Sequence, residues 1–159
     1  MGRKYFIDTG FQTIGTAAQD IVEILCPADA VMIVHSVKID QSNNESAATA
    51  EKLQLTYKRG RGSFTSGNGT SVTPAPIEYG DAAAGITAER NATTQASAGS
   101  GAVDNMFTDV WDVLAGYEFT PIPELRLVLS PSQALIISCE ATTNAQTGRC
   151  LVIVEELGG

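Results

Sequence analysis

From Lys52 to Lys58 the chain alternates strictly: Leu53, Leu55 and Tyr57 are apolar, while Lys52, Gln54, Thr56 and Lys58 are polar. Successive side chains of an extended chain point to opposite faces, so this pattern matches a strand with one face on a core and one in water. A helical reading of Ala47 to Leu55 loses to that alternation and to the β-favouring Thr56 and Tyr57. Related signals recur along the chain. Ile21–Cys26 is an apolar run stopped by Pro27, as expected where a strand ends at a turn. Val31–Asp40 starts apolar on both faces, then alternates with Val37 and Ile39 inward and Ser36 and Lys38 outward; the polar Gln41–Ser46 follows as a loop. Met106–Val113 and Tyr117–Phe119 precede a stiff connector, Thr120–Glu124, in which Pro121 and Pro123 hold the backbone extended. Leu125–Leu129 is a further strand candidate, and Ala134–Glu140 with Arg149–Glu155 is predicted to close the domain as an apolar hairpin. About eight strands with turn signals between them, and no long helical period, predict an all-β antiparallel sandwich or jelly roll.

The 159 residues suit a single domain spanning 1–159, large enough for one core without disulfides or metal. Between Gly60 and Gly101 the composition shifts to Gly, Ser, Thr, Ala and Asn, with Pro74 and Pro76 inside. So few bulky groups cannot build a core of their own. Apart from one weak strand over Gly85–Arg90 and Thr93–Gln95, residues 62–103 read as an extended loop or arm that orders against a neighbour.

Charge narrows the function classes. The net charge is −8, from 18 acidic and 10 basic residues, and an acidic body repels phosphate, so no direct nucleic-acid binding is expected. Only 18% of residues are charged, which leaves a surface of neutral hydroxyls and amides that dehydrates easily against a partner. The start of the chain lacks the apolar stretch of a signal peptide, and the run Val31–Val34 is far too short to cross a bilayer, so no membrane association is expected. The Asn-x-Ser/Thr triplets at Asn44, Asn68 and Asn91 then carry no glycosylation argument.

Catalytic and cofactor signals are sparse. Cys26, Cys139 and Cys150 form no metal-binding spacing and read as buried thiols; a disulfide between Cys139 and Cys150 is the minor alternative. His35, the single histidine, sits mid-strand among apolar neighbours and reads as a hydrogen-bonded structural residue. Gly60-Arg61-Gly62 and Gly67-Asn68-Gly69 lack the Lys-Ser/Thr and the helix of a phosphate loop. Asp109 and Asp112 flank Trp111 in a loose likeness of a sugar-binding site. No catalytic, cofactor-binding or metal-ligating residue is therefore assigned, and no enzyme activity is expected. The candidate partner contacts are basic: Arg3, Lys4, Lys58, Arg59 and Arg61, two clusters suited to an acidic protein surface.

The layout resembles the jelly-roll head decoration (cement) proteins of tailed bacteriophages. The matching features are Phe11–Thr16, the strand Ile21–Leu25, the Ser/Gly/Thr/Ala-rich middle, Tyr117–Glu124 ahead of the closing strands, and the terminal Val154–Leu157. The resemblance implies a structural virion protein on the outer head surface, assembled in the host cytoplasm. It would bind the major capsid protein and itself, as a dimer or trimer, and stabilise contacts between capsid subunits. The alternative is a tail- or fibre-associated sandwich that binds a host glycan or receptor.

Overall fold

The computed structural model describes residues 2–42 and 51–158. Asn44, most of the loop expected at 41–46 and the first part of the rejected helix lie outside the described residues.

Thirteen strands form two antiparallel sheets: β1 (Arg3–Asp8), β2 (Gln12–Ile14), β3 (Gln19–Leu25), β4 (Ala30–Gln41), β5 (Lys52–Arg61), β6 (Thr70–Val72), β7 (Ala75–Pro76), β8 (Thr87–Ala92), β9 (Ala102–Asp112), β10 (Tyr117–Phe119), β11 (Leu127–Leu129), β12 (Ala134–Cys139) and β13 (Gln146–Gly158). Sheet A runs β10-β4-β13-β1-β7, with β11 also on β4 and β2 on β13; sheet B runs β6-β8-β3-β12-β5-β9. The fold is the expected all-β sandwich. Its framework pairs outermost strands first and innermost last: β1 with β13, β3 with β12, β4 with β10 and β11, β5 with β9. That nested pairing is the jelly-roll wind. The strand count exceeds the expected eight because β2, β6, β7 and β8 are short additions and the β4 partner is split into β10 and β11.

The core lies between the sheets, and the alternation of β5 places it: Leu53, Leu55 and Tyr57 are buried, while Lys52 and Gln54 are exposed. From β4 come Met32, Val34, Val37 and Ile39, and from β13 Cys150, Val152 and Val154. On the open side, where β9 and β10 are edge strands, Tyr57, Phe107 and Phe119 stack with ring centroids 4.4 to 5.5 Å apart, a spacing typical of stabilising aromatic contacts. The Tyr117 hydroxyl donates to Asp109 Oδ2 at 3.1 Å and closes the same gap.

Three expectations are corrected. The closing strands are not a hairpin: β12 lies in sheet B between β3 and β5, and β13 lies in sheet A between β1 and β4. A jelly roll carries the chain across the sandwich at that turn, so Cys139 and Cys150 stand in different sheets and are free, buried thiols, as is Cys26. The strand expected at Leu125–Leu129 begins only at Leu127, because Pro123–Leu125 forms a turn of 3-10 helix that leaves Leu125 exposed.

Residues 62–103, expected as an extended arm, lie on the body. Their strand β8 pairs with β3 and with β6, and β7 pairs with β1. Ile86, Ala88 and Ala92 are buried. The small side chains that prevent a private core allow close backbone approach to the sheets. Phe64 shows this: its ring sits 3.0 Å from where a Cβ on Gly60 would stand, so the glycine makes room for it.

Candidate interaction surfaces

The two broad outer faces of the sandwich differ in kind. On sheet B the outward residues of β3 and β12 include Asp20, Glu23, Ile136 and Ser138, all at least nine-tenths buried beneath the segment that follows β5. Asp20 accepts hydrogen bonds from Ala96 N–H at 2.7 Å, from Gln95 Nε2 at 3.3 Å and from the Ser138 hydroxyl. Glu23 accepts from Gly67 N–H at 3.2 Å. The covering segment thus has its backbone amides capped by carboxylates, as buried donors require. Burial drives the Glu23 carboxyl above the ordinary range, the charges of Glu89 and Asp20 add to this, and hydrogen bonds from Ser66 and Gly67 oppose it.

On sheet A the outer face is bare among the described residues. It presents Val31 and Ile33 from β4, Leu151 and Ile153 from β13, Phe6 from β1 and Val128 from β11. Phe6 is 37% exposed and Val128 49%, and the other four are half-buried by their sheet neighbours. A shallow groove of about 340 Å³ runs between Phe6, Ala75 and Leu151, walled by Asp8 and Arg149. A sheet face turned to water is ordinarily polar, so this one is a candidate contact surface.

Charged groups ring that face in pairs. Arg149 forms a forked pair with Asp8, Nε–Oδ1 at 2.8 Å and Nη2–Oδ2 at 2.6 Å, and the Arg149 bond holds the Asp8 carboxyl below its ordinary value. Lys38 lies 3.4 Å from Glu118. His35 stands at a bulge, where β4 spends one residue more than β13 between Val34 and Ser36; a bulge turns consecutive side chains to one side. Its Nε2 lies 2.9 Å from Glu155 Oε2. Burial pushes the Glu155 carboxyl upward, but His35, the Gly2 N–H and Lys4 outweigh it and hold it below the ordinary value.

The basic candidates fall at one end of the sandwich, by the β3–β4 turn, but on two sheets. Arg3 and Lys4 open β1, while Lys58, Arg59 and Arg61 close β5. Arg3 pairs with the buried Glu156 at 2.7 Å, and Arg61 with Asp104 at 2.6 Å. Arg59 donates to the Val128 carbonyl at 3.4 Å. Lys4 and Lys58 form no ion pair among the described residues. Trp111 is fully buried in the core, so it offers no platform to a sugar; the apolar side of β9 faces Leu53.

The apolar outer face was not among the sequence candidates. Its signal is present in the unbroken runs Val31–Val34 and Cys150–Val154, since a strand with one wet face alternates and a strand covered twice does not. No protein-family model matches the chain, and no curated protein matches it.

Proposed function

We propose that the chain is a structural virion protein, a decoration or cement protein. It binds the outer surface of a tailed-bacteriophage head as a homo-oligomer and stabilises contacts between major capsid subunits. The observation that supports this reading is the division of the surface: one broad face is sealed by the chain's own segment, while the other is apolar and open. A rigid β-framework finished in this way acts by adhesion, and repeated neighbours on a lattice turn modest single contacts into firm attachment. Lys4 and Lys58, which form no direct ion pair among the described residues, suit an acidic capsid surface at the end of the sandwich.

The test mixes purified protein with undecorated heads. Binding should saturate at a fixed number of copies per head and raise the temperature at which heads rupture. The double variant Lys4→Gln/Lys58→Gln should bind more weakly, and more so at low salt, with a melting temperature close to the parent's. Absence of saturable binding refutes the reading, and saturable binding to host glycans instead would assign the chain to a receptor-binding module.

A further inference from the structure

We propose that the outer face of β1, β13, β4 and β11 is buried against a second copy of this chain. This rests on the homo-oligomer part of the function above and is independent of the capsid part. Three observations carry it.

The first is the double apolar pattern. Within Val31–Val34 and Cys150–Val154, Met32, Val34, Cys150, Val152 and Val154 fill the core completely. The intervening Val31, Ile33, Leu151 and Ile153 face outward. Unbroken runs of this kind belong to strands covered on both sides, and one chain supplies a single cover. Sheet B received its second cover from residues of the same chain. Among the described residues, sheet A receives from that segment only the two-residue β7 along its edge.

The second is charge. The chain carries −8 overall, so two copies repel unless they meet where charge is balanced. Among the outward residues of β1, β4, β11 and β13, Lys4, Lys38 and Arg149 stand against Asp8, Asp40 and Glu155, three charges against three. Strongly acidic or basic partners gain little from such a face, and an identical one meets no repulsion. Both ends of the face are themselves mixed, Lys4 beside Glu155 and Asp8 with Asp40 beside Arg149 and Lys38, so two stacked copies bring no block of like charge together.

The third is size. Strands β1, β4, β11 and β13, of 6, 12, 3 and 13 residues, span about 500 Å² at about 4.8 Å between strands and about 3.3 Å per residue. Two such faces bury about 1,000 Å² together, the threshold for a specific interface.

Light scattering on the eluting protein should give a mass of two or more chains. Ile153→Lys and, separately, Val128→Glu should each reduce it to one chain while circular dichroism and the melting transition remain those of a folded sandwich. Val128 is the milder site, at an exposed edge, and keeps the test decisive where Ile153→Lys does not fold. A monomer at every concentration overturns the proposal, as does an oligomer that survives in both folded variants. A monomer that binds heads through these residues gives the face to the capsid and also overturns it. An oligomer that ignores heads leaves this interface standing and removes only the capsid reading.

Discussion

Replacing Glu156 with Ala tests whether the segment between β5 and β9 belongs to the fold. The Glu156 side chain is 1% exposed. Its carboxylate accepts from Gly85 N–H at 2.9 Å, Ile86 N–H at 3.1 Å and Arg3 Nη2 at 2.7 Å. Truncation orphans the buried Ile86 donor, at about 1–3 kcal/mol, and removes the bond of the exposed Gly85 N–H, which regains water and costs about 0.5–1.5 kcal/mol. Arg3, 29% exposed, regains water, so its share is about 0–1 kcal/mol. The expected loss, the sum of these shares, is about 2–5 kcal/mol. A domain of this size has about 5–15 kcal/mol in all, so the loss is plain in urea denaturation. Glu156→Gln keeps one acceptor and should cost about 1.5–3 kcal/mol. Hydrogen exchange at Ile86 should be protected in the parent and accelerate in both variants. A loss below about 1 kcal/mol, with an unprotected Ile86 amide in the parent, would refute the reasoning. It would return the segment to a loosely attached arm.

Two further outcomes follow from buried groups. Because burial raises the Glu23 carboxyl above its ordinary value, the folded state holds that proton more tightly than the unfolded one. Its contribution is therefore present below the ordinary carboxylate range and lost as pH rises through the raised value. Glu23→Gln removes that loss, so its stability relative to the parent should improve from about pH 4 to pH 7, measured as urea midpoints; a pH-independent difference contradicts this. Burial also pushes the Cys139 thiol up to about 12 and the Cys26 and Cys150 thiols upward. A thiol-specific chromogenic disulfide should react slowly with native protein and count all three thiols only after unfolding; prompt reaction of the folded protein would contradict the burial.

Legibility followed range. The strands β3, β4, β5 and β9 were readable because side-chain period is a local property of an extended chain. Tyr5 and Ile7 carry the same period in β1, yet Arg3, Lys4 and Asp8 around them obscure so short a run. Trp111 between two aspartates has a loose likeness of a sugar-binding site and reads equally as a core or interface Trp beside solvated carboxylates; sequence neighbours in a strand occupy opposite faces, and Trp111 enters the core while Asp112 does not. The basic residues of β1 and β5 were legible as clusters, but the carboxylates that engage two of them, Glu156 and Asp104, are remote in sequence.

By itself the sequence determined that this chain is a β-sandwich, which faces of its best strands turn to the core, and that its cysteines have no ligand spacing. Only the tertiary structure decided that β12 and β13 part into opposite sheets, that residues 62–103 cover one face, and that the other face stays open. The physical reason is that period is written in neighbouring residues, whereas pairing and coverage arise between residues far apart in the chain. Small side chains such as those around Gly60 and Gly67 permit a backbone to lie on a sheet, and the pairing of β8 with β3 together with the carboxylates of Asp20, Glu23 and Glu156 holds it there.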